Sequence, residues 1–562
     1  MLMGELGMFR FILAFYTVVM IVGCSDHKVS YEPQQGQQYP PKAPSDLKAV
    51  AVQAFSVTLL WTDNSSDEDG FILQRDTDSN FTNPEEFSVP PGGGSTVTYT
   101  DTTVTQATQY YYRVKAFNKA GESGWSNVCA VKTPPNNQPD HLLWGGDEDD
   151  YAVAFLEDSG EFWLVGTTNS FGKSDGAIFF AELDSNWNLQ NSWIWSLSGY
   201  RVAATKALYQ NGKIFVAGTI TDPSTNTMDI LLLAFNTKTQ SILWQEKVDV
   251  LGESEAVSDL VWDGSSLWVV GSGVAGSIAG QYPQSDIFVL KVNPTDGNLI
   301  KGYQIAGSIL LGTVPTLDVA GGAIISGSTL TICGSAILVD LSSLNITPVL
   351  LFLQLDTNKG SVSARTYNLG GAAAFPSSVA TDGTSFFLAG AYSSDIQALI
   401  NWLQNPGGTP PPTEPFIAKL TTSACEYVKV VSINGMTSGA FLAIHLSGST
   451  LHLAGSVTLS SSTAVLRLSC DESAASADAA CWGTSSSAVA LDSANRLVGS
   501  TSDYNGFWQT ITTSFSTVST SAETVSFTSG VLTVSAQAVS GTIETVSATT
   551  AGAGKTDALV VW

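Results

Sequence analysis

The sequence predicts an all-β protein with more than one core. Three observations carry that prediction: a composition short of helix formers, a run of alternating strands near the start, and a pattern that recurs to the end. At 562 residues the chain exceeds one ordinary core. Charged residues make up 13% of it, about half the share usual in soluble domains. Ser, Thr, Gly and small apolar residues fill the difference, which suits short strands and tight turns. The net charge is −26, from 50 acids against 24 bases. Phosphates are neutralised by clustered Lys and Arg, so nucleic acid is not an expected partner. An acidic surface keeps an exported protein soluble.

Residues 1–24 read MLMGELGMFRFILAFYTVVMIVGC. One cation, Arg10, precedes an apolar run from Phe11 to Val22, too short for a membrane helix and suited to a signal-peptide core. The run ends in Ile21-Val22-Gly23-Cys24. This resembles the bacterial lipobox, with Ile in place of the usual Leu at its first position. The resemblance implies cleavage before Cys24, lipid attachment to Cys24 and a membrane as partner through that lipid. Ser25 after the cysteine, by resemblance to enterobacterial sorting, points to the outer membrane or cell surface. Residues 1–23 are thus read as a signal peptide and the Gln/Pro-rich residues 24–40 as a flexible tether.

From Pro41 to Pro135 the strands alternate. Val57, Leu59 and Trp61 share one face, and Gly70-Phe-Ile-Leu-Gln-Arg75 follows as the next strand. Thr108, Tyr110, Tyr112-Arg113-Val114, Ala116, Asn118 and Gly121 then form a spaced set, closed by Ser126-Asn127 and Thr133-Pro134-Pro135. Residues 41–135 resemble a fibronectin type III domain across their whole length. The resemblance implies a β-sandwich, with a tyrosine hydrogen-bonding back onto the chain at a corner. The acidic loop Asp63-Asn-Ser-Ser-Asp67-Glu68-Asp69-Gly70 lacks the register of a helical calcium loop and reads as solvated.

After the linker 136–140 the sequence repeats itself. An apolar strand ends in Gly-Ser/Thr at Gly166, Gly218, Gly271, Gly334, Gly390 and Gly455, spaced by 52, 53, 63, 56 and 65 residues. A second apolar strand follows each, as in Asp229-Ile-Leu-Leu-Leu-Ala-Phe235 and Asp286-Ile-Phe-Val-Leu-Lys-Val292. Fainter copies lie at Arg496-Leu-Val-Gly499-Ser and Val531-Leu-Thr-Val-Ser535. Units of about 50 residues with several strands are the signature of β-propeller blades, and the pattern resembles bacterial propeller repeats. Strands without polar alternation suit burial on both faces. An orphan strand at Leu142-Leu143-Trp144 precedes the first unit, and the chain stops at Trp562 without the corresponding piece. The orphan is expected to complete the last unit and close a ring. The expectation for 141–562 is a propeller of eight blades, with seven as the other count the length allows. Continuous apolar strands and a lipobox speak against a transmembrane barrel.

Chemistry is sparse. The four histidines are His27, His141, His445 and His452, and no nucleophile triad, phosphate loop or zinc spacing is present, so no cofactor is expected. Gly145-Gly-Asp147-Glu-Asp149-Asp150 gathers four carboxylates at one strand entry. Asp147, Asp149 and Asp150 are the candidate ligands for a cation there, against a solvated turn. No paired-carboxylate pattern recurs from unit to unit, which argues against a glycoside hydrolase. Cys470 and Cys481 bracket a small loop and form the candidate disulfide, which export permits. Cys333 and Cys425 are the second pairing, and Cys129 reads as a buried thiol. By analogy at the level of fold, these features suggest a non-enzymatic, membrane-tethered module of the cell envelope that binds protein or carbohydrate. The alternatives are a propeller enzyme acting on extracellular polysaccharide and a subunit of an envelope assembly complex.

Overall fold

A computed structural model describes residues 39–52, 56–92, 95–133, 141–278, 282–309, 314–340, 345–398, 411–460, 462–492, 494–503, 508–511, 513–523, 526–532, 536–539, 542–548 and 555–561. Cys24 and the signal peptide lie outside them. The chain divides into two compact units between Pro139 and Asp140.

The first is an antiparallel β-sandwich. One sheet holds Ser45–Val52, Val57–Thr62 and Thr96–Asp101; the other holds Glu85–Val89, Gly70–Asp76, Gln109–Asn118, Gly121–Glu122 and Cys129–Lys132. Alternation builds the core: Val57, Leu59 and Trp61 face inward from one strand, and Tyr110, Tyr112, Val114 and Ala116 from another. Trp61 meets Phe71 edge-on at 5.5 Å between ring centroids. The expected corner is present: the Tyr110 hydroxyl accepts the Thr105 amide at 2.9 Å.

The second unit is built from antiparallel four-strand sheets in sequence. The first is Asp150–Asp158, Glu161–Thr168, Ala177–Leu183 and Leu189–Ser196, and the second is Arg201–Gln210, Lys213–Thr221, Met228–Asn236 and Ser241–Val248. The third begins at Glu255–Trp262, the fourth at Leu317–Ser326, the fifth at Ala373–Thr381 and the sixth at Met436–Ser447. The seventh comprises Ser486–Leu491, Leu497–Thr501, Asp557–Val561 and His141–Trp144. The orphan strand therefore pairs with the last one, Leu142 opposite Val560 and Trp144 opposite Ala558.

Each sheet buries both faces. Leu231, Leu233 and Phe235 pack on the first sheet, while Ile230, Leu232 and Ala234 of the same strand pack on the third. That is why the strand reads as an unbroken apolar run. The same sharing joins each sheet to the next. It also joins the seventh to the first, through Leu142, Trp144 and Val560 against Phe155, Leu164 and Phe179.

The repeat glycines have a steric cause. In every one of these sheets the first strand breaks register in a β-bulge, as between Ala204 and Lys206. The bulge pushes a carbonyl toward the glycine of the second strand. A Cβ on Gly218 would sit 2.0 Å from the Ala203 oxygen, and one on Gly499 1.8 Å from that of Ser487. Backbone cannot swing aside as a side chain would. Gly218→Ala should therefore destabilise by about 3 kcal/mol or more, read as a lower urea midpoint at unchanged slope. An unchanged midpoint would refute the steric reading.

Among the described residues the strands fall into seven groups of four, the lower of the two expected counts, with the third and fourth groups joined into one sheet by a parallel pairing of Ser285 with Leu317. Gly499 marks the seventh, but Val531–Leu532 has no bulge partner and starts no sheet. It belongs to Ser526–Leu532, an edge strand on the third sheet. The described strands of the connection 502–556, between the second and third strands of the seventh sheet, all behave this way. Trp508–Thr510 adds to the outer edge of the sixth sheet, Thr513–Val518 to the fifth and Ser521–Glu523 to the fourth. Ser526–Leu532, Ala536–Ala538 and Thr542–Thr545 then add to the third, second and first. One insertion thus straps six sheets in descending order, giving each a short antiparallel edge strand.

Candidate functional site

The structure separates the acids flagged in the sequence. Asp147 is exposed, Glu148 pairs with Lys555, and Asp149 forms a backbone bridge with Thr556. Only Asp150 turns inward. Its Oδ2 accepts the Gly146 amide at 2.9 Å and the Ser170 hydroxyl at 3.0 Å, while Oδ1 is buried without a partner. Burial pushes the Asp150 carboxyl up to about 6. Asp557 flanks Gly145 from the other side.

This juxtaposition follows a rule. A third strand of one sheet and the first strand of the next begin side by side, so acids at both starts meet. Asp557 and Asp150 meet between the seventh and first sheets, Asp229 and Glu255 between the second and third, and Asp286 and Asp318 between the third and fourth. The expectation that no carboxylate pair recurs is corrected. The acids were visible as Asp229, Asp286 and Asp557 before apolar runs. Their pairing with Asp150, Glu255 and Asp318 was not, because register between sheets leaves no trace in local sequence.

The pairs are compensated differently. Asp318 accepts from the Thr316 hydroxyl and the Gly307 amide, both at 2.6 Å, and burial pushes its carboxyl up to about 7. Asp286 accepts from Gln284 Nε2 at 3.1 Å and from Gln304 Nε2 at 2.5 Å. All four oxygens of this pair are satisfied. Between the second and third sheets, Lys247 binds Asp229 Oδ2 and the Leu251 amide donates to Glu255 Oε1 at 2.8 Å. Glu255 is fully buried, its Oε2 has no partner, and burial pushes the carboxyl up to about 8. Asp249 joins them: among the described residues, Asp229, Asp249 and Glu255 form the group whose ligand oxygens lie within 4.8 Å of one another.

A second feature is a cleft of 250 Å³ lined by Tyr392, Asp395, Thr413, Glu414 and Met436, where the fifth sheet meets the start of the sixth. His452 Nδ1 lies 3.1 Å from the Ser469 hydroxyl, and burial lowers the His452 pKa. The disulfide expectation is corrected. Cys470 pairs in register with Ala477 and Cys481 with Leu466, four positions away along the hairpin. At about 3.3 Å per residue the two are roughly 13 Å apart, beyond a disulfide's reach. None of Cys129, Cys333, Cys425, Cys470 and Cys481 is in a disulfide; Cys129 is half-buried rather than buried.

Residues 42–132 match the family model of the fibronectin type III domain. No curated protein matches the chain. Solved structures similar to it include one described as a myokine, at 19% identity over 17% of this chain and 98% of that one, TM-score 0.15. A fibronectin type III-like protein from Clostridium thermocellum matches at 24% identity over 16% and 91%, TM-score 0.14. The fibronectin type III domain of human fibronectin type III domain containing protein 3 matches at 23% over 19% and 97%, TM-score 0.15. The domain assignment rests on the family match, and likenesses with TM-scores this small add no argument to it.

Proposed function

We propose that the chain is a lipid-anchored, non-catalytic binding and scaffold protein of the bacterial cell envelope. In this reading residues 140–562 form a seven-bladed β-propeller that recognises protein or carbohydrate. The observation that carries it is the cyclic packing. First strands of consecutive sheets touch in order, the seventh touches the first, and the seventh sheet takes its outer strand from residues ahead of the first. Sheets sharing both faces in that order fit a ring whose loops surround a mouth, a frequent binding surface. The fibronectin type III domain at 42–132 suggests the same binding or scaffold role. The lipobox-like Ile21-Val22-Gly23-Cys24 supplies the anchor, and Ser25 favours the outer membrane.

A polysaccharide-acting enzyme is the second reading, favoured by Asp395 and Glu414 sharing one cleft. Cys24→Ser is expected to release the protein from the membrane fraction. Membrane retention of the variant would overturn the anchor. The released protein is then applied to a glycan array and to an envelope pull-down. Binding without turnover supports the scaffold reading, and cleavage of a bound glycan overturns it in favour of the enzyme.

A further inference from the structure

We infer that Asp229, Asp249 and Glu255 form a binding site for a divalent cation of the calcium class, joining the second and third sheets. Three elements converge there. Asp229 begins the third strand of the second sheet, Asp249 follows the end of its fourth, and Glu255 opens the third sheet. The turn between the last two is held by its own backbone: Asp249 Oδ1 accepts the Gly252 amide at 2.8 Å, with Gly252 at φ +85°. Ser254 clamps its far end. Its hydroxyl accepts the Met228 amide, and its carbonyl accepts the Val274 amide, both at 3.1 Å. The acids are thus positioned by the fold rather than by one another.

Clustered acids alone are common on so acidic a chain; the independent observation is Glu255. Its side chain is shut from solvent, Leu251 satisfies one oxygen, and Oε2 has no donor. A buried carboxylate oxygen without a donor is unfavourable, and a proton or a bound cation relieves it. The charge balance favours a dication. Three carboxylates against the one ammonium of Lys247 leave two formal negative charges. The donors are all hard oxygens, which select calcium over softer metals. Asp229 keeps Oδ1 for the ion while Lys247 holds Oδ2. The Asp286–Asp318 pair one sheet further on makes the contrast, since hydrogen bonds already satisfy each of its oxygens.

The test uses the purified full-length chain, stripped with chelator and titrated with Ca²⁺ or Mg²⁺ alone, followed by calorimetry and thermal unfolding. The expected result is one saturable Ca²⁺ site and, at 100-fold excess over Kd, a Tm higher by about 3 °C or more. Asp249→Asn, at an exposed position that does not threaten folding, should weaken that site at least about 10-fold. Glu255→Gln should abolish it. No saturable site in the unaltered chain would overturn the inference and leave Glu255 simply protonated. An equal Ca²⁺ response in chain and variants would also overturn it, assigning binding to the diffuse acidic surface.

Discussion

Shortening the 502–556 connection to a tight turn is expected to make the protein self-associate more strongly than the unaltered chain while leaving the seven sheets intact. The excision is sterically simple, because Thr501 and Asp557 already face each other in register, and a short hairpin loop spans such ends. What changes is the outer edge of six sheets, where the fourth strands would present unpaired N–H and C=O groups. Two effects compete. Each edge strand gains about 1 kcal/mol per ladder hydrogen bond, but ordering its backbone costs about 1–2 kcal/mol per residue. The rungs are short, so hydrogen bonds alone do not fix the strap. Its remaining contribution is apolar: Ile511, Phe515, Val518, Val539, Ile543 and Val546 pack against the sheet clusters. The strap's effect on folding energy is therefore modest and its effect on edge protection large. Light scattering at roughly tens of micromolar should show oligomers of the shortened protein, with a Tm lowered by only a few degrees. A shortened protein that scatters as the unaltered chain does, with unchanged Tm, would show that the strap protects nothing.

The same strap marks the limit of what the sequence revealed. Gly166, Gly218 and their equivalents were legible because one steric demand, a bulge carbonyl on the facing strand, recurs with the period of the fold. Leu142 and Trp144 were legible because the final strand had no partner of its own. The strap has no such demand. Thr513–Val518 reads TSFSTV with alternating half-exposed positions, a pattern that fits any sheet edge. Residues 531–535 consequently read as a further unit, and one sheet too many was counted. The carboxylate pairs were missed for a related reason. Asp229 and Glu255 are 26 positions apart, and only the start-to-start contact of neighbouring sheets makes them neighbours.

Asp101→Ala is expected to have the largest effect of any single substitution in the fibronectin type III domain. Asp101 is 1% exposed, and its carboxylate gathers four donors. Arg75 Nη1 lies 2.7 Å away and the Tyr112 hydroxyl 2.9 Å, both on Oδ2; the Thr103 amide and hydroxyl donate to Oδ1 at 2.9 and 2.8 Å. Arg75 is itself buried, 5% exposed, between the rings of Phe87 and Tyr110 at 5.3 and 5.0 Å. Removing the aspartate strands that guanidinium beside Glu85, whose own side chain is largely exposed. Breaking a buried pair on one side costs about 3–5 kcal/mol, against a stability of roughly 5–15 kcal/mol for a domain. Glu85→Ala removes only the solvent-screened partner and should cost under about 1 kcal/mol. Replacing Arg75 and Asp101 together by Met and Leu should cost less than Asp101→Ala alone, because no charge is then left unpaired. Hydrogen exchange of Gln109–Asn118 reads all three in the intact chain: protection should fall by about 10²–10³ in Asp101→Ala and recover in the double variant. Equal exchange in Asp101→Ala and Glu85→Ala would show that burial does not set the strength of this pair, and the ion pair would then be ornamental to the sandwich.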